Sequence, residues 1–150
     1  MSVDGILQGT PEWQAQRAGK LTASRFHEAV AKLKDGNYGA SRENYMADII
    51  CARLRQGPIT EQTFISASMQ WGVDHEAEAR TAYSFLTDLE IEEIGFVDHP
   101  SINAAGCSPD GIIGSSGLVE IKAPNSSTHY ATLTGAPIKL AYRLQMMWQL

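Results

Sequence analysis

Residues 107–124 read CSPDGIIGSSGLVEIKAP, and no other stretch constrains the fold of this chain as strongly. Two runs rich in β-branched and apolar residues, Ile112-Ile113 and Leu118-Val119-Glu120-Ile121-Lys122, flank a Gly/Ser cluster. That is the pattern of a β-hairpin. Side chains alternate between the faces of a strand, so Glu120 and Lys122 share one face while Val119 and Ile121 take the other. Loop length then decides where Asp110 goes. A two-residue loop at Ser115-Ser116 would pair Asp110 with Ile121, on the wrong face. A three-residue loop, Ser115-Ser116-Gly117, puts Gly where a left-handed backbone is wanted, and pairs Asp110 with Lys122 and Ile112 with Glu120. Asp110 is then diagonal to Glu120, within reach of a shared cation.

Two carboxylates and a lysine brought together this way suit metal-assisted phosphodiester hydrolysis. Hard oxygen donors select Mg²⁺, with Mn²⁺ as a substitute. A bound metal would stabilise charge on the scissile phosphate and acidify a water that the lysine can orient. The same string also reads as an exposed hairpin carrying a surface ion pair worth under about 1 kcal/mol. Ser108-Pro109-Asp110-Gly111 alone could be a simple turn.

The rest of the chain divides into helices, then strands, then helices. Thr10-Pro11-Glu12 opens a short helix with an N-cap, Pro in the first turn and an acid beside it, ended by Gly19. Thr22 to Lys34 reads as a second helix with Phe26, Val30 and Leu33 at core spacing, followed by a loop at residues 35–39. Ser41 caps a third helix whose Met46, Ile49, Ile50 and Leu54 form an apolar stripe ending at Gly57-Pro58. A fourth helix is expected from about Ser66 to Thr87. Ile91, Ile94, Phe96 and Val97 fit a strand, and Ile102 to Cys107 another. Helices return at about Ser127–Leu133 and from Pro137. The expectation is an α/β domain with a mixed central β-sheet flanked by helices. Because the segment AYRLQMMWQL runs as an uncapped helix to Leu150, residues 1–150 read as one domain truncated at its C-terminus.

Length and composition bound the function. At 150 residues and 43% apolar content, the chain can bury a core without metal or disulfide help. Cys51 and Cys107 are isolated, which argues for a reducing compartment and against a cysteine metal site. No apolar run is long enough to span a membrane, and no secretory leader is visible, so a cytoplasmic protein is expected. The net charge of −5 disfavours bulk electrostatic binding of nucleic acid. Residues 1–75 are balanced; residues 76–150 carry nine acids against four bases, and seven of those acids lie between Glu76 and Asp98. Glu90, Glu92 and Glu93 there read as a solvated face, although the same count permits an acidic pocket neutralised by cations.

Pro109-Asp110…Glu120-Ile121-Lys122 resembles the signature of the PD-(D/E)xK nuclease superfamily, with its restriction-endonuclease-like core. More narrowly, the chain resembles the YqaJ and phage lambda exonuclease family of viral recombination nucleases. Three further segments carry this: Trp13-x-x-x-Arg17-x-Gly19 followed by Thr22-Ala23-Ser24, Trp71-Gly72-x-x-x-Glu76-x-x-Ala79-Arg80, and Ala141-Tyr142-x-x-Gln145. Together they span residues 13–145 in the family's order.

The resemblance implies a Mg²⁺-dependent 5′ to 3′ exonuclease acting on ends of linear double-stranded DNA and leaving single strands for phage-type recombination. Asp110, Glu120, Glu76 and the Ile121 backbone carbonyl would hold the metal, Lys122 would handle the water, and Gln145 would sit near the active site. Arg17 and Ser24 would hold a 5′-terminal phosphate. It further implies a homotrimer, a single-strand annealing protein as partner, and a phage or prophage origin in a bacterial host. Where the family often has a second glutamine, this chain has Met147, which leaves open whether Gln149 substitutes.

On residue chemistry alone, Glu76 and Arg80 read as a helix-surface ion pair and Arg17 on Trp13 as packing. Trp13, Trp71 and Trp148 read as core, and His75 and His129 as incidental. Met69 is a candidate apolar wedge at the duplex end. An endonuclease of the same superfamily and a catalytically inactive DNA-end-binding module are the alternatives.

Overall fold

A computed structural model describes residues 5–59 and 66–150. In chain order they form α1 (Pro11–Arg17), β1 (Leu21–Thr22), a 3-10 turn (Ala23–Arg25), α2 (Phe26–Val30), α3 (Ala40–Arg55) and α4 (Ala67–Thr87). Then follow β2 (Val97–Asp98), β3 (Ala105–Cys107), β4 (Gly111–Ile113), β5 (Gly117–Val119), α5 (Ser126–Leu133) and α6 (Leu140–Gln149). β3 is the middle strand of a mixed three-stranded sheet, parallel to β1 and antiparallel to β2. β4 and β5 form an antiparallel hairpin, tied back toward the chain before β2 by a bridge between Glu92 and Ile112. Helices packed around a small mixed sheet are the α/β arrangement the pattern predicts. No helix among the described residues is long and apolar enough to cross a membrane.

Helix starts follow local capping chemistry. The Thr10 hydroxyl accepts from the Trp13 N–H, Ser66 from Met69 and Asn125 from Thr128, so α1, α4 and α5 each begin where a short polar side chain satisfies a free amide. The core lies where the 3-10 turn and α6 cover β3, with α2 packed on both: Ala105 is fully buried, and Trp13, Ala23 and Tyr45 are buried too. Phe26 stacks on Trp148 at 4.4 Å, and the Trp148 indole donates to the Gly106 carbonyl, joining α2 and α6 to the sheet.

Several expectations are corrected. The second helix shrinks to Phe26–Val30, because Leu21 and Thr22 pair with Ala105 and Gly106 and because Lys32 bridges to Tyr38 around the 35–39 loop. α3 starts at Ala40 after Gly39, and it buries Tyr45 and Ala52 rather than the expected stripe; Met46, Ile50 and Leu54 are exposed. Backbone pairing in the 91–97 region is confined to Val97 and the Glu92 bridge. Trp13 is buried and Trp148 half-buried, but Trp71 is half exposed and stacks on His75 at 3.6 Å. Both belong to one exposed helical face, so the ring's apolar area is met by the neighbour four residues on rather than by a core.

The hairpin register also differs. Gly111 faces Val119, Ile112 faces Leu118 and Ile113 faces Gly117, so the three-residue loop is Gly114-Ser115-Ser116. Gly114 takes the left-handed conformation, at φ 58°. Gly117 lies inside β5, where a Cβ would stand 2.8 Å from the Ile113 carbonyl oxygen, so the close strand approach uses the second glycine. Continued outward, this register brings Asp110 opposite Glu120 rather than diagonal to it. The two registers differ by two residues, so the carboxylates stay on one face.

Candidate active site

Each residue of Ser108-Pro109-Asp110 is held by a different element. The Trp13 indole of α1 donates to the Ser108 hydroxyl at 2.9 Å. Pro109 is fully buried, and its carbonyl accepts from the Gln8 amide at 2.8 Å; the same amide reaches the Ile94 carbonyl at 3.1 Å. The Asp110 carbonyl accepts from Arg80 Nε of α4 at 3.0 Å. The Asp110 carboxylate accepts from the Ile121 N–H at 2.5 Å, across the mouth of the hairpin. Side chain and backbone are therefore fixed independently, which suits a group that must hold one orientation.

Glu120, just past β5, is the convergence point. Its side chain is 6% exposed. Lys122 donates to one oxygen, together with Gln145 of α6 at 2.5 Å, and Gln149 donates to the other at 2.7 Å. Gln145 and Gln149 are one helical turn apart, so both amides point the same way. Met147 faces solvent, and Gln149 is the second glutamine at this carboxylate. A buried carboxylate with one ammonium and two neutral donors is satisfied without being neutralised twice over.

Glu76 approaches from α4 and stands on Arg80, whose Nη2 donates to it at 2.5 Å. Arg80 does more than its helical spacing foretells. With Nε on the Asp110 carbonyl and Nη1 within 2.5 Å of Glu93, its fork links α4, the strand-like segment before β2 and the start of β4. Glu93, expected as part of a solvated face, is the far partner of that fork. The i,i+4 spacing signalled only the Glu76 contact; the other two are long-range and leave no trace in local spacing.

The electrostatics show a shortage of positive charge. Burial, then the nearby charge of Glu120 and to a lesser extent Glu76, push the Asp110 carboxyl up from its ordinary value to about 7; the Ile121 amide and Lys122 oppose this. Burial, with Glu120 adding to it, also raises the Cys107 thiol. Fully ionised, Asp110, Glu120, Glu76 and Glu93 face Lys122 and Arg80, which leaves two negative charges uncompensated. Among the described residues no three acidic, His or Cys side chains stand close enough to enclose an ion as they are, and Glu76 is paired with Arg80. The donor chemistry nevertheless fits a hard dication: oxygen ligands, a deficit of two charges, and a pair, Asp110 and Glu120, already adjacent. His75 stacks on Trp71 and His129 is exposed; neither joins this cluster.

A second cluster lies on the α1 side. The Arg17 guanidinium sits 4.1 Å over the Trp13 ring and donates to the Ser24 hydroxyl at 3.2 Å. The packing expected from their spacing is present, and so is the Ser24 contact. Burial lowers the Arg17 pKa, the neighbouring Arg25 adding to the effect against the opposing influence of Tyr45. Among the described residues Arg17 forms no ion pair, whereas Arg25 nearby is held by Glu28 and Asp48. A half-buried guanidinium without a carboxylate partner has the chemistry to receive an anion.

The site and fold can be set beside known proteins. A model of the YqaJ-like viral recombinase domain matches residues 12–150. The crystal structure of LHK-Exo in complex with dAMP is 42% identical to this chain, with a TM-score of 0.82 over 93% of this chain and 67% of that one. The crystal structure of an alkaline exonuclease (LHK-Exo) from Laribacter hongkongensis is 43% identical, again with a TM-score of 0.82, over 93% and 66%. This chain therefore spans about two thirds of the length of those structures. No curated protein sequence matches it. With nearly its whole length matched by the family model, and a fold shared with structures more than 40% identical to it, the chain belongs to the YqaJ-like viral recombinase domain family.

Proposed function

We infer that this chain is a Mg²⁺-dependent exonuclease that shortens linear double-stranded DNA from its ends in the 5′ to 3′ direction, leaving single strands for recombination. The observation that carries this is the meeting of Asp110, Glu120 and Lys122 at the hairpin mouth, in a cluster that with Glu76, Glu93 and Arg80 has two negative charges in excess. The membership in a viral recombinase family and the likeness to an alkaline exonuclease support it. A homotrimer working beside a single-strand annealing protein belongs to the same reading.

Asp110, Glu120 and, once released from Arg80, Glu76 would hold the metal, with the Ile121 carbonyl as a neutral donor. Bound there, a Mg²⁺ ion supplies charge stabilisation at the scissile phosphate and a more acidic water. The chain's own residues do the rest. Lys122 Nζ, at the edge of the site and 34% exposed, orients the attacking water and offsets charge building on the phosphate. Gln145 and Gln149 keep the Glu120 carboxylate aimed when Lys122 turns toward substrate. Arg17 and Ser24 hold the terminal phosphate, which sets the end from which degradation starts.

The test is digestion of 5′-phosphorylated linear duplex with Mg²⁺, beside a covalently closed circle and the Asp110→Ala variant. Loss of the linear duplex with single-stranded products, absent on circles and in the variant, is expected. Cut circles would instead identify an endonuclease, and metal-independent end binding without cleavage an inactive end-binding module. Arg17→Ala should lower the rate on 5′-phosphorylated ends to that on 5′-hydroxyl ends, a loss of about tenfold or more for a charge-assisted contact. Equal slowing on both kinds of end would remove Arg17 from phosphate recognition.

A further inference from the structure

The segment that carries Ser24 is gripped by one helix. Three residues on α3, at positions 45, 48 and 53, reach residues 19–25. Arg53 Nε donates to the Gly19 carbonyl at 2.7 Å. Asp48 accepts from Arg25 at 2.8 Å. Between them Tyr45, only 4% exposed, places its hydroxyl under the turn: the Thr22 N–H donates to it at 2.8 Å, the Thr22 hydroxyl lies 3.2 Å away, and the phenol donates to the Lys20 carbonyl at 3.4 Å. The Arg25 guanidinium covers the Tyr45 ring at 4.0 Å. From Thr22 the chain of contacts continues outward, since its hydroxyl is 3.4 Å from the Ser24 hydroxyl, which accepts from Arg17.

This arrangement is unusual in its balance. Ser24 is exposed and held only by long contacts, and Arg17 has no acidic partner among the described residues. Arg17 is placed by its stacking on Trp13, whereas among the described residues Ser24 has only its contacts with Arg17 and Thr22. The place of Ser24 relative to Arg17 therefore follows the turn, where the Tyr45 hydroxyl occupies the Thr22 N–H at the point where β1 gives way to the 3-10 turn. A backbone amide buried there without a partner would be costly, so the phenol both satisfies the turn and fixes its shape.

We propose that Tyr45 is a specificity-determining positioning residue, whose hydroxyl holds the Thr22-Ala23-Ser24 turn in the shape that lets Arg17 and Ser24 grip a terminal phosphate. It rests on the assignment of Arg17 and Ser24 to a phosphate, and acts through them without touching DNA. Tyr45→Phe is the direct probe, because it deletes the hydroxyl and keeps the ring beneath Arg25. Binding of a hairpin duplex with a 5′-phosphate is compared with its 5′-hydroxyl counterpart, without metal, for wild type, Arg17→Ala and Tyr45→Phe, alongside melting of each protein. The wild type is expected to prefer the phosphate and Arg17→Ala to lose that preference. Tyr45→Phe should reduce it about three- to tenfold, the scale of one hydrogen bond, while binding the hydroxyl end as the wild type does. A preference lost in Arg17→Ala but intact in a folded Tyr45→Phe protein overturns the proposal alone. No preference in the wild type, or one that survives Arg17→Ala, overturns the phosphate assignment and the proposal with it. A loss of affinity for both ends in Tyr45→Phe marks Tyr45 as merely structural and also overturns it.

Discussion

Replacing Asp110 with Asn is expected to abolish digestion of linear duplex, by about a thousandfold or more, while making the metal-free protein more stable at pH 8. The two effects share one cause. Asp110 is half-buried beside Glu120 and Glu76, and its carboxyl is raised to about 7. An acid whose pKa is raised on folding binds more protons in the folded state, so stability falls as pH climbs from near 4, its unfolded value, to about 7. Above that window the folded protein carries the full penalty of an ionised, undercompensated group. Asn keeps an oxygen to accept from the Ile121 N–H and removes the charge. After discounting for partial exposure, the gain is about 1–2 kcal/mol at pH 8, a few degrees in melting temperature. The gain should shrink as pH falls toward 4. Mg²⁺ should stabilise the wild type above pH 7 and not the variant, because only the wild type supplies the anionic ligand. Melting of both proteins across pH 4–9, with and without Mg²⁺, checks this; a variant less stable at pH 8 would show Asp110 to be a structural anchor. Because a proton and Mg²⁺ compete for the same carboxylate, the apparent Mg²⁺ affinity of the wild type should rise with pH through about 7.

What the chain reveals of this site before folding depends on range. Asp110, Glu120 and Lys122 lie within one hairpin, and strand alternation places their side chains on one face whichever of the two even registers forms. The register itself is not readable, because Gly114 and Gly117 bracket the same two serines. In the folded chain Gly114 takes the left-handed turn position and Gly117 the close approach to Ile113. Helix starts at Thr10 and Ser66 are legible because capping is local. The short α2 is not, since what interrupts it is the pairing of Thr22 with Gly106, 84 positions away. Trp13 and Trp71 carry the same side chain in different environments: one is buried and finds Ser108 across the fold, the other is half exposed and stacks on His75 of its own helix. The reach of Arg80 to Glu93 and the Asp110 carbonyl, and of Tyr45 to Thr22, likewise exists only once distant elements meet.

Lys122→Ala separates chemistry from ligand binding, and the contacts of Glu120 decide which should suffer. Lys122 donates to Glu120, so it competes with a cation for that carboxylate. Its loss leaves Gln145 and Gln149 on the two oxygens, and these hold Glu120 in place without adding charge. Removing one positive charge from a cluster already short of two should leave Mg²⁺ affinity unchanged or raise it. In the proposed reaction the cleavage step, in contrast, would lose the group assigned to orient water and offset phosphate charge, a role worth about a hundred- to a thousandfold in rate. Single-turnover digestion at saturating Mg²⁺ should therefore slow by that factor, while titration calorimetry shows binding at least as tight as wild type. If affinity and rate fall together, Lys122 serves to position Glu120, and the water-handling role passes to another group at the hairpin mouth.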